Sequence, residues 1–325
     1  TALSVPAFYL LAQRLLGHWA ALLGALFIAS DAFFLAHSRV AHGDAPVTVF
    51  MGLLALAFLV FLQTTHPGEN RATQKEGRGH VRRAWGWLIF SAVMGALAAL
   101  TKAPGQFMAL FVIMVAVGDW LVQSWRPRRP DWRLAKRWLV DLVLWGVLFV
   151  FLFVALWPAM WVDPVGNLLR MLDETFGKVE EGHLVFFMGQ PILKPGPWFY
   201  PYVIPFRLTP VTLIGGLASV VVLLWRLIDL ARKRGEGNSL PSHYVSALLL
   251  WFYVVSLLLF GNLSPKKQDR YLLPLFPILD LLAAFAFVEI ANAANQQISK
   301  RMTTQHAERI TDYGLRLTLL SLLLI

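Results

Sequence analysis

The chain has 325 residues, of which 57% are hydrophobic and only 15% are charged, and its mean hydropathy is +0.59. Because soluble domains are about 25% charged, this composition excludes an ordinary soluble domain and indicates a polytopic membrane protein. The sequence contains no cysteine, which excludes disulfides, thiol nucleophiles and cysteine-ligated metal sites. The net charge of +10 need not indicate a nucleic-acid partner, since basic loops set the orientation of membrane proteins.

Apolar runs follow one another along the whole chain, and many approach the ~20 residues that cross a bilayer. They predict an all-α bundle of about ten spans in a single domain, 1–325, with the first and last spans partial. The predicted spans are 1–16, 18–37, 45–63, 84–101, 104–124, 138–157, 209–229, 243–260, 271–290 and 314 onward. Since the chain starts and stops within apolar runs, we expect a fragment that lacks at least one N-terminal span and the loop after it.

The connecting segments alternate between basic and less basic, which predicts the orientation. Basic loops stay on the cytoplasmic side, and here they are 71–83, 126–137 and 232–234. The outer side then consists of 37–44, 101–105, 158–208 and 261–270.

The first outer segment, 37–44, is polar and lies between two strongly apolar runs. A charged side chain such as Arg39 or Asp44 at the bilayer centre costs ~2.5–3.5 kcal/mol on insertion scales. The segment is therefore predicted to turn at the membrane surface, with His37 and His42 close to both charges. The alternative is an ordinary polar hairpin whose charges are interface anchors.

Two further outer segments carry cations. Lys102 interrupts a long apolar region, where it either snorkels to the surface or faces an anion. Lys266, Lys267 and Arg270 lie close together in sequence on the side where positive charge is disfavoured, and such donors suit phosphate. The alternative for this group is an exposed loop that Asp269 partly neutralises.

The long outer loop, 158–208, divides into two parts. Apolar residues at helical spacing predict an amphipathic helix at Pro164–Val179, lying along the membrane surface. The part from Glu181 to Tyr202 is rich in Pro, Gly and aromatic residues and is predicted not to form a regular helix. It suits either a pocket wall or an interface belt.

Taken together, the outer segments resemble the type C glycosyltransferases of the protein O-mannosyltransferase and lipid A aminoarabinose transferase superfamily. The similarity covers roughly residues 1–290. The residues that carry it are Ser38-Arg39 with Gly43-Asp44, then 99–105, then His183 with 186–189 and 196–201, and finally 266–274.

The resemblance implies transfer of a sugar, mannose or a related one, from a polyprenyl- or dolichyl-phosphate carrier to a protein, lipid or glycan acceptor. The reaction is expected on the outer, periplasmic face of a bacterial-type plasma membrane. The resemblance implies a catalytic role for Asp44. The residues expected to bind substrate are Arg39, Lys102, His183, Tyr200, Lys266, Lys267 and Arg270.

The general base is expected in the family's first outer loop, which carries an acidic residue and which this chain lacks. No residue here is offered as its substitute, and the fragment alone is expected to be inactive. The sequence does not decide whether Asp44 holds a divalent metal together with His37 or His42, because the spacing of these residues is not diagnostic. No metal ligand is therefore assigned.

Two other functions are compatible with a multi-span chain. A transporter would explain Asp31 and Asp280, two acids within predicted spans that receive no role here. Against it stand the lack of a recognisable internal repeat and the long structured outer loop. In a non-catalytic membrane scaffold, the outer charges would be solvated anchors.

Overall fold

The computed structural model describes residues 2–65, 78–125, 130–180, 182–233 and 239–301, and this part of the chain is almost entirely helical. Two short 3₁₀ helices, Ala103–Gln106 and Asp269–Leu275, adjoin α-helices. The predicted all-α class is confirmed. The helices are α1 (Ser4–Leu16), α2 (His18–Ser30), α3 (Ala32–Ser38), α4 (Asp44–Thr65), α5 (Arg78–Thr101), α6 (Phe107–Trp125), α7 (Trp132–Leu156), α8 (Ala159–Val162), α9 (Pro164–Glu180), α10 (Phe199–Arg207), α11 (Pro210–Arg232), α12 (Ser242–Leu263) and α13 (Phe276–Arg301).

Within the described residues, 7 segments are long and apolar enough to cross a membrane, and the bent pair α2 and α3 brings the number to 8. They coincide with the predicted spans between residues 18 and 290. Helix α1, with 13 residues, is too short to cross a bilayer by itself. The predicted span from 314 onward lies outside the described residues. The chain is thus an integral membrane protein with a polytopic helical fold.

The predicted span 18–37 is wrong in one respect, because it is broken at Asp31. Helices α2 and α3 meet there at an angle of 57°. Asp31 has an extended backbone, and its carboxylate accepts a hydrogen bond of 2.6 Å from the N–H of Phe34. Asp31 is therefore the N-cap of a new helix, which hydropathy alone does not reveal.

Helices α4 and α13 form the centre of the bundle. In their apolar segments 83% and 89% of the residues are buried, against 11% in α7. Helix α4 packs on α5, and α13 packs on α2 and α11. The outward side of α7 exposes Val143, Val147 and Phe151. Apolar side chains exposed on a span are suited to contact lipid, so α7 belongs at the edge of the bundle.

The loop between α7 and α11 contains the helix predicted at Pro164–Val179, present as α9. Its side chains Val165, Leu168 and Leu169 are exposed, so the bundle leaves this apolar stripe uncovered. A two-stranded antiparallel hairpin follows, in which β1 (Val185–Phe187) pairs with β2 (Gln190–Ile192).

The prediction that no regular helix forms before residue 203 is wrong for 199–202, because α10 begins at Phe199. Pro201 is the third residue of that helix. The first N–H groups of a helix have no intrahelical partner, so a proline there costs no hydrogen bond.

The chain turns sharply between α5 and α6. Lys102 is extended, and the N–H of Gly105 donates to its carbonyl at 2.9 Å. A Cβ atom on Gly105 would lie 2.1 Å from the carbonyl oxygen of Ala98. Only glycine fits such a close approach of two backbones, so Gly105 fixes the turn that carries Lys102.

Replacing Gly105 with alanine should therefore destabilise the protein by about 1–3 kcal/mol, because the new methyl group overlaps α5. Gly118→Ala in α6 is the matched control, since a Cβ there meets open space. It should be neutral or stabilising by up to about 1 kcal/mol. Thermal unfolding of the full-length protein in detergent measures both. Equal midpoints for the two variants would contradict the packing argument.

Candidate functional site

Three segments far apart in sequence meet at one end of the bundle. Asp44 is the first residue of α4, Lys102 directly follows α5, and Arg270 belongs to the 3₁₀ helix Asp269–Leu275. Helix α4 packs against α5 and against that 3₁₀ helix, which brings the three side chains together. With His42, which precedes α4, they form a group that we call the Asp44 cluster.

Asp44 is the centre of this cluster and is only 3% exposed. Its Oδ1 accepts a hydrogen bond from Nζ of Lys102. Its Oδ2 lies 2.7 Å from Nδ1 of His42 and 3.9 Å from Nε of Arg270. The Arg270 contact is too long for a hydrogen bond and the His42 contact lacks hydrogen-bond geometry, so Oδ2 is a buried acceptor without a hydrogen-bond partner among the described residues.

The ammonium of Lys102 points into the protein rather than snorkelling to the surface. Besides its bond to Asp44, it lies 5.0 Å from the centre of the Tyr271 ring, a cation–π arrangement. The side chain retains 22% exposure. Lys102 is thus both fixed in position and partly open to an incoming ligand.

Arg270 is held by its own neighbours. Its Nε donates to Oε1 of Gln268 at 2.6 Å, and its backbone N–H donates to Oδ1 of Asp269 at 2.8 Å. Asp269 also pairs with Arg207 of α10 at 2.7 Å. Within the described residues, Nη1 and Nη2 of Arg270 have no hydrogen-bond or ion-pair partner. These two guanidinium nitrogens, whose planar geometry suits an anion, are therefore free to bind one.

Lys266 and Lys267 are adjacent in sequence but differ in environment. Lys267 is 3% exposed, and its ammonium donates to the carbonyl oxygens of Asn262 at 3.1 Å and Ser264 at 2.8 Å. Burial lowers the pKa of Lys267 from its ordinary value. Lys267 thus ties down the end of α12, whereas Lys266 is half-buried, and no carboxylate pairs with its side chain in the described residues.

Three further residues predicted to bind substrate do not join the cluster by direct contact. Tyr200 is 1% exposed, its hydroxyl group hydrogen-bonds the backbone of Gln268, and burial raises its pKa. His183 and Arg39 are exposed at the surface. Within the described residues, neither side chain forms a hydrogen bond or ion pair with the Asp44 cluster. Of the three, only Tyr200 contacts the 266–270 segment, and it supports that segment through its hydrogen bond to Gln268.

The structure also brings in residues to which the sequence analysis gave no substrate role. From the sequence, His42 is a candidate metal ligand only, and Tyr271 and Gln268 are only parts of a longer motif. The sequence assigns no role to Arg207, although this residue anchors Asp269. Gln268 and Tyr271 flank Asp269 and Arg270 in sequence, and that adjacency was the available signal. Nothing in the sequence connects Arg207 with Asp269.

The structure gives limited support for a metal at this site. Nδ1 of His37 lies 2.9 Å from the carbonyl oxygen of Phe33, so one nitrogen of that ring is engaged within its own helix. In the part of the chain that the structure describes, no group of three or more His, Cys, Asp or Glu side chains is arranged to hold a metal ion. The Asp44 cluster instead combines one buried carboxylate with two cations and a half-exposed imidazole. Such a set can bind an anion and accept a hydrogen bond beside it.

Comparison with known proteins relates the chain to one family. Residues 1–170, more than half of the chain, match the family model described as dolichyl-phosphate-mannose-protein mannosyltransferase. Over 224 residues the chain is 26% identical to the undecaprenyl phosphate-alpha-4-amino-4-deoxy-L-arabinose arabinosyl transferase of Erwinia tasmaniensis. This alignment covers 69% of the chain and 34% of that relative, so the chain spans about a third of its length.

The fold is also found in a solved structure. The crystal structure of ArnT from Cupriavidus metallidurans bound to undecaprenyl phosphate superposes with a TM-score of 0.50 at 16% sequence identity. The superposition covers 94% of the chain and 51% of ArnT, which shows a shared membrane helical fold. The sequence matches are to transferases, so a transporter is not favoured.

The ion pair at the centre of the cluster can be tested by a double-mutant cycle. Lys102→Met should destabilise the protein by about 3–5 kcal/mol, because it leaves Asp44 buried without its main partner. In Lys102→Met with Asp44→Asn, the loss should be smaller than the sum of the two single losses. Denaturant unfolding of the full-length protein in detergent provides the four free energies. Strict additivity would mean that the two side chains do not interact.

Proposed function

The chain belongs to the dolichyl-phosphate-mannose-protein mannosyltransferase family, and on that premise we propose that it is part of a membrane glycosyltransferase. The proposed reaction transfers a sugar, mannose or a related one, from a polyprenyl- or dolichyl-phosphate carrier to a hydroxyl group. That hydroxyl belongs to a protein, lipid or glycan acceptor. The Asp44 cluster is the single observation that carries this proposal.

A lipid-phosphate sugar has three parts, and the chain offers a partner for each. The prenyl tail requires an apolar surface, which the exposed sides of spans such as α7 provide. The phosphate requires cations, and Lys102 and Arg270 lie side by side around Asp44. The sugar's acceptor requires an oriented hydrogen-bond partner, and the partner proposed is the Asp44 carboxylate, whose buried Oδ2 has no hydrogen-bond partner among the described residues.

The electrostatic part of catalysis follows from this arrangement. Phosphate is the leaving group, so negative charge grows on its oxygens as the bond to the sugar breaks. Cations already aimed at those oxygens stabilise the transition state without reorganising. Lys102 and Arg270 are fixed by Tyr271, Asp44 and Gln268, and therefore meet this condition.

Asp44 is assigned to orientation rather than to proton abstraction. Its Oδ1 already accepts a hydrogen bond from the Lys102 ammonium, which fixes the direction of the carboxylate. An oriented hydrogen bond from the acceptor hydroxyl to Oδ2 would still bring that hydroxyl into line with the sugar. His183 and Arg39 are exposed and would contact substrate only as it enters.

We place this reaction at the outer, periplasmic face of a bacterial-type plasma membrane. The support is the positive-inside bias, because the segments that meet at the Asp44 cluster lie at the ends of the spans opposite to the basic segments. Lys266 faces the same end and is proposed as an additional phosphate contact. Lys267 is assigned to the structure of the segment.

Removing one cation should weaken donor binding. Loss of a hydrogen bond to a charged group costs ~1.5–3 kcal/mol, which corresponds to roughly 10- to 150-fold. Lys102→Ala should fall in this range because it removes the ammonium group. Arg270→Lys should fall in it as well, because a point charge cannot replace the planar guanidinium. Asp44→Asn should reduce the transfer rate more than donor affinity. The measurement is binding of a prenyl-phosphate sugar alongside its turnover by the full-length protein.

A matched control for these variants is Lys233→Ala. Lys233 pairs with Asp229 at 3.1 Å at the other end of α11, so its loss should leave donor binding unchanged. Donor affinities and transfer rates at the wild-type level in all three site variants would reject the proposed site. A wild-type protein that binds no prenyl-phosphate sugar would reject the proposed function itself.

The proposed orientation can be tested with single cysteines, since the chain has none of its own. Lys194→Cys, in the exposed loop before α10, should react with a membrane-impermeant thiol reagent added to intact cells. Lys233→Cys, just after α11, should react only after the membrane is permeabilised. Any native cysteines in the rest of the full-length protein are first replaced. Labelling in the reverse pattern would overturn the orientation.

A further inference from the structure

Two acids lie close to Arg270, and each of them is paired with a different cation. Asp44 pairs with Lys102, and its Oδ2 lies 3.9 Å from Nε of Arg270. Asp269 directly precedes Arg270, and its Oδ1 accepts the backbone N–H of Arg270 at 2.8 Å. Oδ2 of Asp269 lies 2.7 Å from Nη2 of Arg207, the last residue of α10. Arg207 therefore compensates a carboxylate that adjoins the proposed phosphate ligand.

Without that compensation, the carboxylate of Asp269 would oppose the binding of an anion. It would repel the phosphate, since water near a protein surface screens such repulsion only in part. It would also attract the guanidinium of Arg270, whose hydrogen bonds and ion pairs in the described part of the chain involve Nε and the backbone N–H only. Both effects lower the positive potential that Arg270 offers to a phosphate. A cation held against Asp269 prevents both.

Arg207 is held in place by an aromatic ring as well as by Asp269. Its Cζ lies 5.6 Å from the centre of the Phe33 ring, a cation–π arrangement. Phe33 belongs to α3 and stacks at 4.9 Å on Phe276, the residue that follows the 3₁₀ helix Asp269–Leu275. The guanidinium is thus positioned by contacts to α3 and to the 3₁₀ helix.

Helix α10 contacts the segment before Arg270 at both of its ends. Tyr200, its second residue, is 1% exposed, and its hydroxyl group hydrogen-bonds the backbone of Gln268. Arg207, its last residue, pairs with Asp269. These two contacts fix the position of Arg207 relative to Arg270.

We propose that Arg207 is a positioning residue for the donor phosphate, acting by neutralising Asp269 so that the guanidinium of Arg270 stays available. This inference rests on the proposed function and adds a residue of the outer loop to it. Arg207 does not itself touch the phosphate, because Asp269 and Phe33 engage its guanidinium. The outer loop thus contributes a compensating charge to donor binding.

Removal of the two charges, singly and together, tests this role with undecaprenyl phosphate as the probe. Arg207→Met should weaken binding of the probe by about 2- to 5-fold, the range for partly exposed charges. Asp269→Asn added to that variant should restore the affinity, because no carboxylate is left to compensate. The amide oxygen can still accept the backbone N–H of Arg270. Arg207→Lys should retain most of the affinity, since a positive charge stays beside Asp269.

A matched control is Arg170→Met. Arg170 also belongs to the outer loop and pairs with an acid, Asp163, at 3.8 Å, but it forms no ion pair with the Asp44 cluster or Asp269 among the described residues. Its loss should leave the affinity unchanged. Asp269→Asn alone should bind the probe at least as tightly as the wild type. The measurement is the Kd of the probe for the full-length protein in detergent.

The double variant separates compensation from a structural role. An ion pair that only ties α10 in place is lost equally in Arg207→Met and in the double variant, so recovery of affinity would support the proposal. A double variant as weak as Arg207→Met, unchanged affinity in Arg207→Met, or weaker binding in Asp269→Asn alone would each overturn it. In these cases a wild type that binds the probe leaves the proposed function standing. A wild type that does not bind the probe would instead reject the proposed function itself.

Discussion

Burial of the Asp44 carboxylate is the constraint on which this end of the bundle depends. A charge that is 3% exposed must be compensated, and its partners come from positions 58 and 226 residues further along the chain. The α5–α6 turn, which only Gly105 permits, aims Lys102 at it. The 3₁₀ helix that carries Arg270 is fixed in turn by Arg207 and Tyr200 from the outer loop. One acid thus connects three spans and a loop.

The same constraint explains how much of the site was predictable. Hydropathy gave the spans and the positive-inside rule grouped their ends, so the approach of Asp44, Lys102 and Arg270 followed from topology. The break at Asp31 could not be predicted in this way, because a helix N-cap within an apolar run leaves the hydropathy almost unchanged. Nor could the start of α10, where Pro201 falls at one of the few positions a helix tolerates.

Lys266 and Lys267 show that a run of cations in the sequence does not reveal which of them are available to a ligand. The two residues have the same side chain and nearly the same sequence context, yet Lys267 points inward to the carbonyl groups of Asn262 and Ser264. The cause is the backbone, since α12 ends at Leu263 and leaves carbonyl oxygens that need donors. A cationic cluster in sequence therefore overstates the number of cations available to a ligand. Local helix ends must be known before such charges are assigned.

The buried acids of this bundle differ in how their charge is compensated, and the difference follows from the hydrogen-bond donors around each of them. Asp44, at the bundle end, has two full cations within 4 Å, so its charge is compensated in place. Asp31 and Asp280 are buried as well, but their hydrogen-bond donors are backbone N–H groups and the Thr212 hydroxyl group. Neither donor supplies a whole positive charge, so two negative charges there would be uncompensated. A helix N-cap and a hydroxyl contact therefore compensate these two acids less fully than the two cations compensate Asp44.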